Sequence, residues 1–295
     1  MAHVTGARPR ESIALATEQL SFDAVRKYRR ISRATFGVLV VLLFLVPVLY
    51  VVMISVERPN HFLANPLTPP TKIDLANFQQ AWSQGDLGPE LLNTLVYSVT
   101  AGAITTVLSL LIAFPIARRL FRGASGIYTS FVLGLFLPIA IIPLFIESQK
   151  LGLYDSRIGY ILLNVEPGMP LGVILLSGVI LSVPRELDEA ALMDGCGYLR
   201  YLASVVMPLT RSGMLVVFLY SLLGVWNNII APVVFLSNSS LYPITQGLYS
   251  FFGSHESEWT VLAAALIIVS LPVLVLFVIS QRRLLGATIA GAVKT

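Results

Sequence analysis

The stretch PRELDEAALMDGCGYLRYLASVVMPLTRSG occupies residues 184–213, between two long apolar runs. Acidic residues crowd 186–189, where they would stabilise the positively polarised start of a helix. Gly195 and Gly197 interrupt the helical pattern, and Pro208 is predicted to close a second short helix. A connection between two spans needs only a few residues. A folded element of this length therefore predicts either a docking surface for a partner protein or a helix lying on the membrane.

Apolar segments long enough to cross about 30 Å of hydrocarbon lie on both sides of this stretch. Backbone groups find no water in lipid, so helices are the expected spanning form. We predict an all-α membrane protein with six transmembrane helices, near 34–56, 91–117, 127–147, 158–182, 212–236 and 260–281. The remaining ends, 1–33 and 282–295, are predicted to be a basic N-terminal tail and a C-terminal tail.

The composition agrees with a membrane protein. Charged residues make up 12% and hydrophobic residues 56%, with a mean hydropathy of +0.79, whereas soluble domains are about one quarter charged. The net charge of +4 comes from short basic clusters beside apolar runs, which is typical of topology signals rather than of nucleic-acid binding. A single cysteine, Cys196, excludes a disulfide framework and a cysteine metal cluster.

The distribution of basic residues predicts the orientation. Of the 20 Lys and Arg residues, only Arg58, Lys72, Lys150 and Arg157 fall in segments that would face outward if both termini were cytoplasmic. An excess of Lys and Arg marks the cytoplasmic side. The sequence therefore predicts that both termini, and residues 184–213, face the cytoplasm.

The spacing within this cytoplasmic element is specific. Glu189-Ala190-Ala191 is followed by three residues, Gly195, nine residues and then Val205-Val206-Met207-Pro208. This resembles the EAA loop of binding-protein-dependent ABC permeases, whose pattern is EAA-x3-G-x9-I-x-L-P. The resemblance implies the type I ABC importer permease fold and makes residues 184–208 the coupling loop.

Other segments resemble the carbohydrate, six-span maltose-type subgroup of these permeases. AFPIARRLFRG (113–123) is similar to the pattern AYAFARxRFPG of that subgroup. KLGLYDSRIGYIL (150–162) is similar to KLGLLNTxxGLIL, and the chain end QRRLLGATIAGAVKT (281–295) to QRxFVxGLTxGAVKG. The resemblance covers residues 34–295.

The resemblance implies a bacterial plasma-membrane subunit that carries no catalytic residues of its own. Its expected partners are a second permease subunit, forming a heterodimer, two ATP-binding-cassette ATPase subunits, an extracytoplasmic solute-binding protein and membrane lipid. No Walker A sequence is present, so ATP and Mg are expected on the ATPase subunits. The residues expected to contact the ATPase or shape the loop are Glu189, Ala190, Ala191, Asp194, Gly195, Met207 and Pro208.

The resemblance also implies that the helices flanking the loop line the substrate pathway. Polar groups and broken helices at membrane depth are tolerated where they face protein or a water-filled cavity, and asparagine both donates to and accepts from hydroxyls. The predicted pathway residues are Asn164, Glu166, Gly168, Leu171, Ser221, Gly224, Trp226, Asn227 and Asn228. Alternatively, Glu166 lies at the outer interface and the two adjacent asparagines form interhelical hydrogen bonds.

Three other functions compete with a sugar permease. A secondary transporter needs ionisable residues buried in several spans, and Glu166 is the main candidate. A membrane-embedded enzyme needs clustered His, Asp or Glu, which three scattered histidines do not supply. An ABC permease for glycerol phosphate, a polyol or another polar solute would share every coupling signal found in this sequence.

Overall fold

The computed structural model describes residues 32–33, 35–70, 72–251 and 258–292. Within these ranges the secondary structure is helical and no strand is present. The predicted tail 1–33 lies almost entirely outside the described residues. The chain divides between Ile54 and Ser55 into two compact units, and nearly all described residues of the first unit lie in one helix, α1.

The α-helices of the described ranges follow one another along the chain with short connections. In chain order they are α1 (Thr35–Ser55), α2 (Pro59–Ala64), α3 (Ala76–Gln84), α4 (Leu87–Arg118), α5 (Ala124–Gly134), α6 (Ile141–Lys150), α7 (Arg157–Val165), α8 (Met169–Leu181), α9 (Glu186–Met193), α10 (Tyr198–Tyr201), α11 (Met207–Trp226), α12 (Ile230–Phe235), α13 (Ile244–Gly247) and α14 (Trp259–Ala292).

Five helical stretches are long and apolar enough to cross a membrane: Thr35–Ser55, Leu87–Arg118, Arg157–Leu181, Tyr198–Trp226 and Trp259–Gln281. The predicted span at 127–147 differs, because it is formed by the two shorter helices α5 and α6. Pro138 lies in the break between them. Proline lacks the amide hydrogen that an α-helix needs and restricts the residue before it, so the chain leaves the helix there. The predicted third span is therefore not present as one continuous helix.

The second unit is built around α4, against which α7, α8 and α11 pack. One apolar cluster joins the last turns of α4 to α8 and to the start of α11 through Phe114, Leu176 and Val206. A second cluster, around Tyr97, Tyr160 and Val225, joins the first half of α4 to α7 and α11. This central position makes α4 the helix through which most of the unit is connected.

Glycines allow the close packing of α4, α8 and α11. A Cβ at Gly168 would lie 2.6 Å from the Ser221 Oγ and 2.9 Å from the Thr105 Cγ2. A Cβ at Gly172 would lie 2.3 Å from the Ser109 Oγ. Small residues let membrane helices approach closely, and van der Waals packing then holds them together.

Candidate coupling and pathway sites

The predicted coupling loop begins with α9, which carries Glu186, Asp188 and Glu189 in its first turns. The acidic start was expected from the favourable interaction with the helix dipole. The helix ends at Met193, Asp194 is its C-cap residue, and Gly195 follows at φ +66°. A left-handed backbone strongly favours glycine, so Gly195 permits the sharp exit from α9.

The two alanines of the EAA triplet face different ways. Ala190 is exposed together with Glu189, whereas Ala191 is half-buried against the apolar cluster that contains Phe114 and Leu176. Small size at Ala191 thus serves packing within this chain, and only Ala190 presents a small side chain outward. The outward surface also includes Leu192 and Met193, which are 74% and 88% exposed, and Asp194.

The second half of the loop corrects the predicted helix-break-helix-proline pattern. Tyr198 begins a helix that continues through a π-helical segment at 202–206 into α11, so no helix ends at Pro208. Pro208 occupies the first turn of α11, and the wider π turns come just before it. Local π-helix often accompanies a disturbance of the helical hydrogen-bond ladder, which proline causes by lacking an N–H. Met207 is half-buried against the same apolar cluster as Ala191.

The predicted coupling loop is attached to α4 by an ion pair between the buried Arg118 and the half-buried Asp188. The Arg118 Nε lies 2.7 Å from the Asp188 Oδ2, and an Arg118 terminal nitrogen donates to the Asp188 Oδ1 at 3.2 Å and to the Val183 carbonyl at 3.0 Å. The Tyr201 hydroxyl donates to the same Asp188 carboxylate. Sequence reasoning used Arg118 only as a topology signal and Asp188 only as a helix-start residue, so this pair was missed.

Part of the predicted pathway set forms structural contacts. The Asn228 amide donates to the Asn164 Oδ1 at 3.1 Å, and the Asn164 amide donates to the Tyr160 carbonyl at 2.8 Å. The Asn228 Oδ1 accepts from the Ala231 amide at 3.0 Å, beyond the break that follows α11. Asn228, in the connection after α11, is therefore hydrogen-bonded to α7, whereas among the described residues Asn227 bonds only within its own helix, and Trp226 is buried at the end of α11.

Of the other pathway candidates, Gly168 and Ser221 are buried where α11 packs against the turn before α8, and the rest lie at or near the surface of this subunit. Glu166, in a 3₁₀ turn between α7 and α8 that packs against α11, is exposed, and Leu171 is half-buried. Gly224 and Asn227 are exposed on α11. Tyr220, which sequence reasoning missed, is 49% exposed and lies four residues before Gly224. Residues 220, 224 and 227 share one helix face, so α11 presents an aromatic and polar stripe.

The polar start of α4 holds the segment at 237–247. The Asn93 amide donates to the Ser240 and Tyr242 carbonyls at 2.9 and 3.1 Å, and the Thr94 hydroxyl accepts from the Ile244 amide at 2.7 Å. Asp155, at φ +53°, accepts from the backbone amides of residues 237 and 238 at 2.8 and 2.9 Å. These contacts give Asn93, Thr94 and Asp155 a structural role in holding the segment at 237–247.

Comparison with known proteins identifies the family. The profile described as "Binding-protein-dependent transport system inner membrane component" matches residues 105–286, which include the coupling loop and the stripe on α11. The chain belongs to this family. The family consists of permease subunits rather than enzymes, and the chain is a multi-pass protein of the bacterial inner membrane.

Sequence and structural similarity to known permeases and ABC transporters extends over most of the chain. The diacetylchitobiose uptake system permease protein NgcG of Streptomyces coelicolor is 32% identical over 270 residues, covering 90% of this chain and 89% of that protein. The fold is similar to that of a bacterial ABC transporter involved in alginate import, with a TM-score of 0.78 at 20% identity over 88% of this chain and 97% of that chain. A second structure, of an alginate ABC transporter with an alginate pentasaccharide-bound periplasmic protein, has a TM-score of 0.64 at 16% identity over 90% of this chain and 98% of that chain.

Proposed function

We propose that this chain is a permease subunit of an ABC importer that takes up a sugar and forms half of the translocation pathway. The family match over residues 105–286 carries the proposal, because it includes the exposed acidic helix α9 that is expected to contact an ATPase. The likeness to a diacetylchitobiose permease and to the alginate importer fold supports a carbohydrate substrate. ATP and Mg would then act on partner ATPase subunits.

The proposed assembly contains a second permease subunit, two ATPase subunits and an extracytoplasmic binding protein. The binding protein would dock on the outer loops at 57–90 and 237–259, of which residues 237–247 are held by Asn93, Thr94 and Asp155. A similar fold with a periplasmic protein bound supports this arrangement. In the proposed topology both termini face the cytoplasm. Helices α5 and α6 together form the remaining span, which gives six spans in all. Residues 252–257 lie outside the described part of the chain.

Purification of the complex tests this function directly. Affinity purification through a tag on this chain, in mild detergent, is expected to recover an ATPase, a second permease and a binding protein. The ATPase activity of that complex should rise with the loaded binding protein and a sugar. If only glycerol phosphate or a polyol stimulates the ATPase activity, the substrate is that solute rather than a sugar. Solute movement by the purified chain alone would favour a secondary transporter instead.

The exposed stripe on α11 leads to a second prediction, which concerns substrate binding. The Asn227 amide donates to the Leu223 carbonyl at 2.9 Å, and the side chain is exposed on the subunit surface. If it contacts the sugar, Asn227→Ala should raise the KM of uptake about three- to tenfold, the loss expected for one hydrogen bond. Asn228→Ala is the matched control, because Asn228 bonds Asn164 and should lower thermal stability instead. An unchanged KM for Asn227→Ala would remove this residue from the pathway.

A further inference from the structure

One carboxylate, that of Asp188, connects the helices α4, α9 and α10 at the predicted coupling loop. Asp188 on α9 accepts from Arg118 on α4 and from Tyr201 on α10, while Arg118 also donates to the Val183 carbonyl just before α9. We propose that Arg118 is a positioning residue that transmits movement of α9 to α4. This inference rests on the proposed function, because α9 transmits movement only if an ATPase binds it.

Burial makes this contact persistent. The Arg118 side chain is only 4% exposed and the Asp188 side chain 22% exposed. A buried guanidinium is costly unless an acid and other acceptors surround it, so separating the pair would leave an uncompensated charge. One terminal guanidinium nitrogen donates to the Asp188 Oδ1, and the Arg118 Nε lies close to the Oδ2 without hydrogen-bond geometry, so the pair holds α9 against α4 by charge and by one charged hydrogen bond.

The covalent connections of α9 do not provide this link. A short segment joins α9 to α8, and the left-handed turn at Gly195 joins it to α10 and so to α11. Neither connection leads to α4, although α4 is the helix against which α7, α8 and α11 pack. The Arg118–Asp188 pair therefore adds a direct polar contact between α9 and the central helix, and the Tyr201 hydrogen bond keeps α9 and α10 together across the turn at Gly195.

The aromatic contacts next to the pair support the same connection. The centroid of the Phe114 ring lies 5.7 Å from that of the Tyr201 ring and 5.8 Å from that of the Tyr198 ring, and both pairs are edge-to-face. Phe114 lies one turn before Arg118, so the start of α10 packs on the same end of α4 that holds Asp188. The coupling region is thus attached to α4 by packing and by charge.

The test uses the intact importer, purified through this chain and reconstituted in proteoliposomes with its binding protein and sugar. Arg118→Gln and Asp188→Asn should each lower the sugar transported per ATP hydrolysed about tenfold, within the usual range of coupling between sites. Arg119→Gln is the matched control, because Arg119 is adjacent but exposed, and it should leave the ratio unchanged. Assembly of each variant is checked by size-exclusion chromatography, so that the ratio is measured on complete complexes.

A double-mutant cycle separates positioning from general stability. If the residues act as a pair, the double variant with Arg118→Gln and Asp188→Asn should transport as much sugar per ATP hydrolysed as either single variant. Additive losses, or normal sugar per ATP in assembled Arg118→Gln, would overturn the inference. If Glu189→Lys stops uptake while the Arg118 variants do not, only this inference fails. If neither position affects uptake, the proposed function fails as well.

Discussion

Glu189→Lys is expected to abolish most of the uptake by this importer while leaving the fold of the subunit intact. Glu189 is exposed on α9, beside the exposed residues Ala190 and Met193, and it forms no ion pair among the described residues. Reversing a charge at a protein interface costs several kcal/mol, so uptake should fall about 100-fold. Uptake and ATPase activity, measured on the same proteoliposomes, check this expectation.

The neighbouring acid on the same helix supplies the control. Glu186 is also exposed and lies at the start of α9, so Glu186→Lys changes the net charge by the same amount and the helix-dipole interaction in the same direction. It should reduce uptake far less than Glu189→Lys if the contact with the ATPase is local. Normal uptake by Glu189→Lys would count decisively against α9 as the docking helix.

Gly172→Leu should strongly reduce the amount of folded protein. A Cβ at this position would lie 2.3 Å from the Ser109 Oγ and 3.1 Å from the Val217 Cγ1, so a leucine must push α8 away from α4 and α11. Overpacking of this kind costs about 1–3 kcal/mol and sometimes more. The yield of membrane-inserted protein and its melting temperature in detergent measure the effect.

Gly178→Leu is the control for Gly172→Leu because both glycines lie on α8. No atom lies within 4 Å of a Cβ built at Gly178, and the residue is exposed. Its yield and melting temperature should remain close to those of the unsubstituted protein. Equal losses at the two positions would show that leucine disturbs α8 itself rather than its packing against α4 and α11.

Helix positions were largely predictable from the sequence, with exceptions at prolines. The predicted spans at 34–56 and 91–117 correspond to α1 and α4, since long apolar runs are a local property of the chain. Pro138 separates α5 from α6 within the predicted third span, whereas Pro208 lies inside a continuous helical stretch. Whether a proline ends a helix depends on how neighbouring turns widen and pack, which local sequence does not specify.

The candidate sites were predictable as positions but not as orientations. The motif predicted a coupling loop at residues 184–208, but the sequence did not show that Ala191 packs inward while Ala190 faces outward. The predicted pathway residues likewise divide between buried contacts, such as Asn164 with Asn228, and the exposed stripe that contains Asn227. Tyr220 joins that stripe only because helix α11 places it on the same exposed face.

By itself the sequence determined that this protein is a helical membrane protein, and it predicted that residues 184–208 form a coupling loop. Those properties follow from hydropathy, charge distribution and spacing along the chain, which are all local. Only the tertiary structure decided that Arg118 meets Asp188, because that contact joins residues 70 positions apart and depends on how α4 packs beside α9. Pairing of this kind is set by the packing of whole helices, and no local pattern in the sequence specifies it.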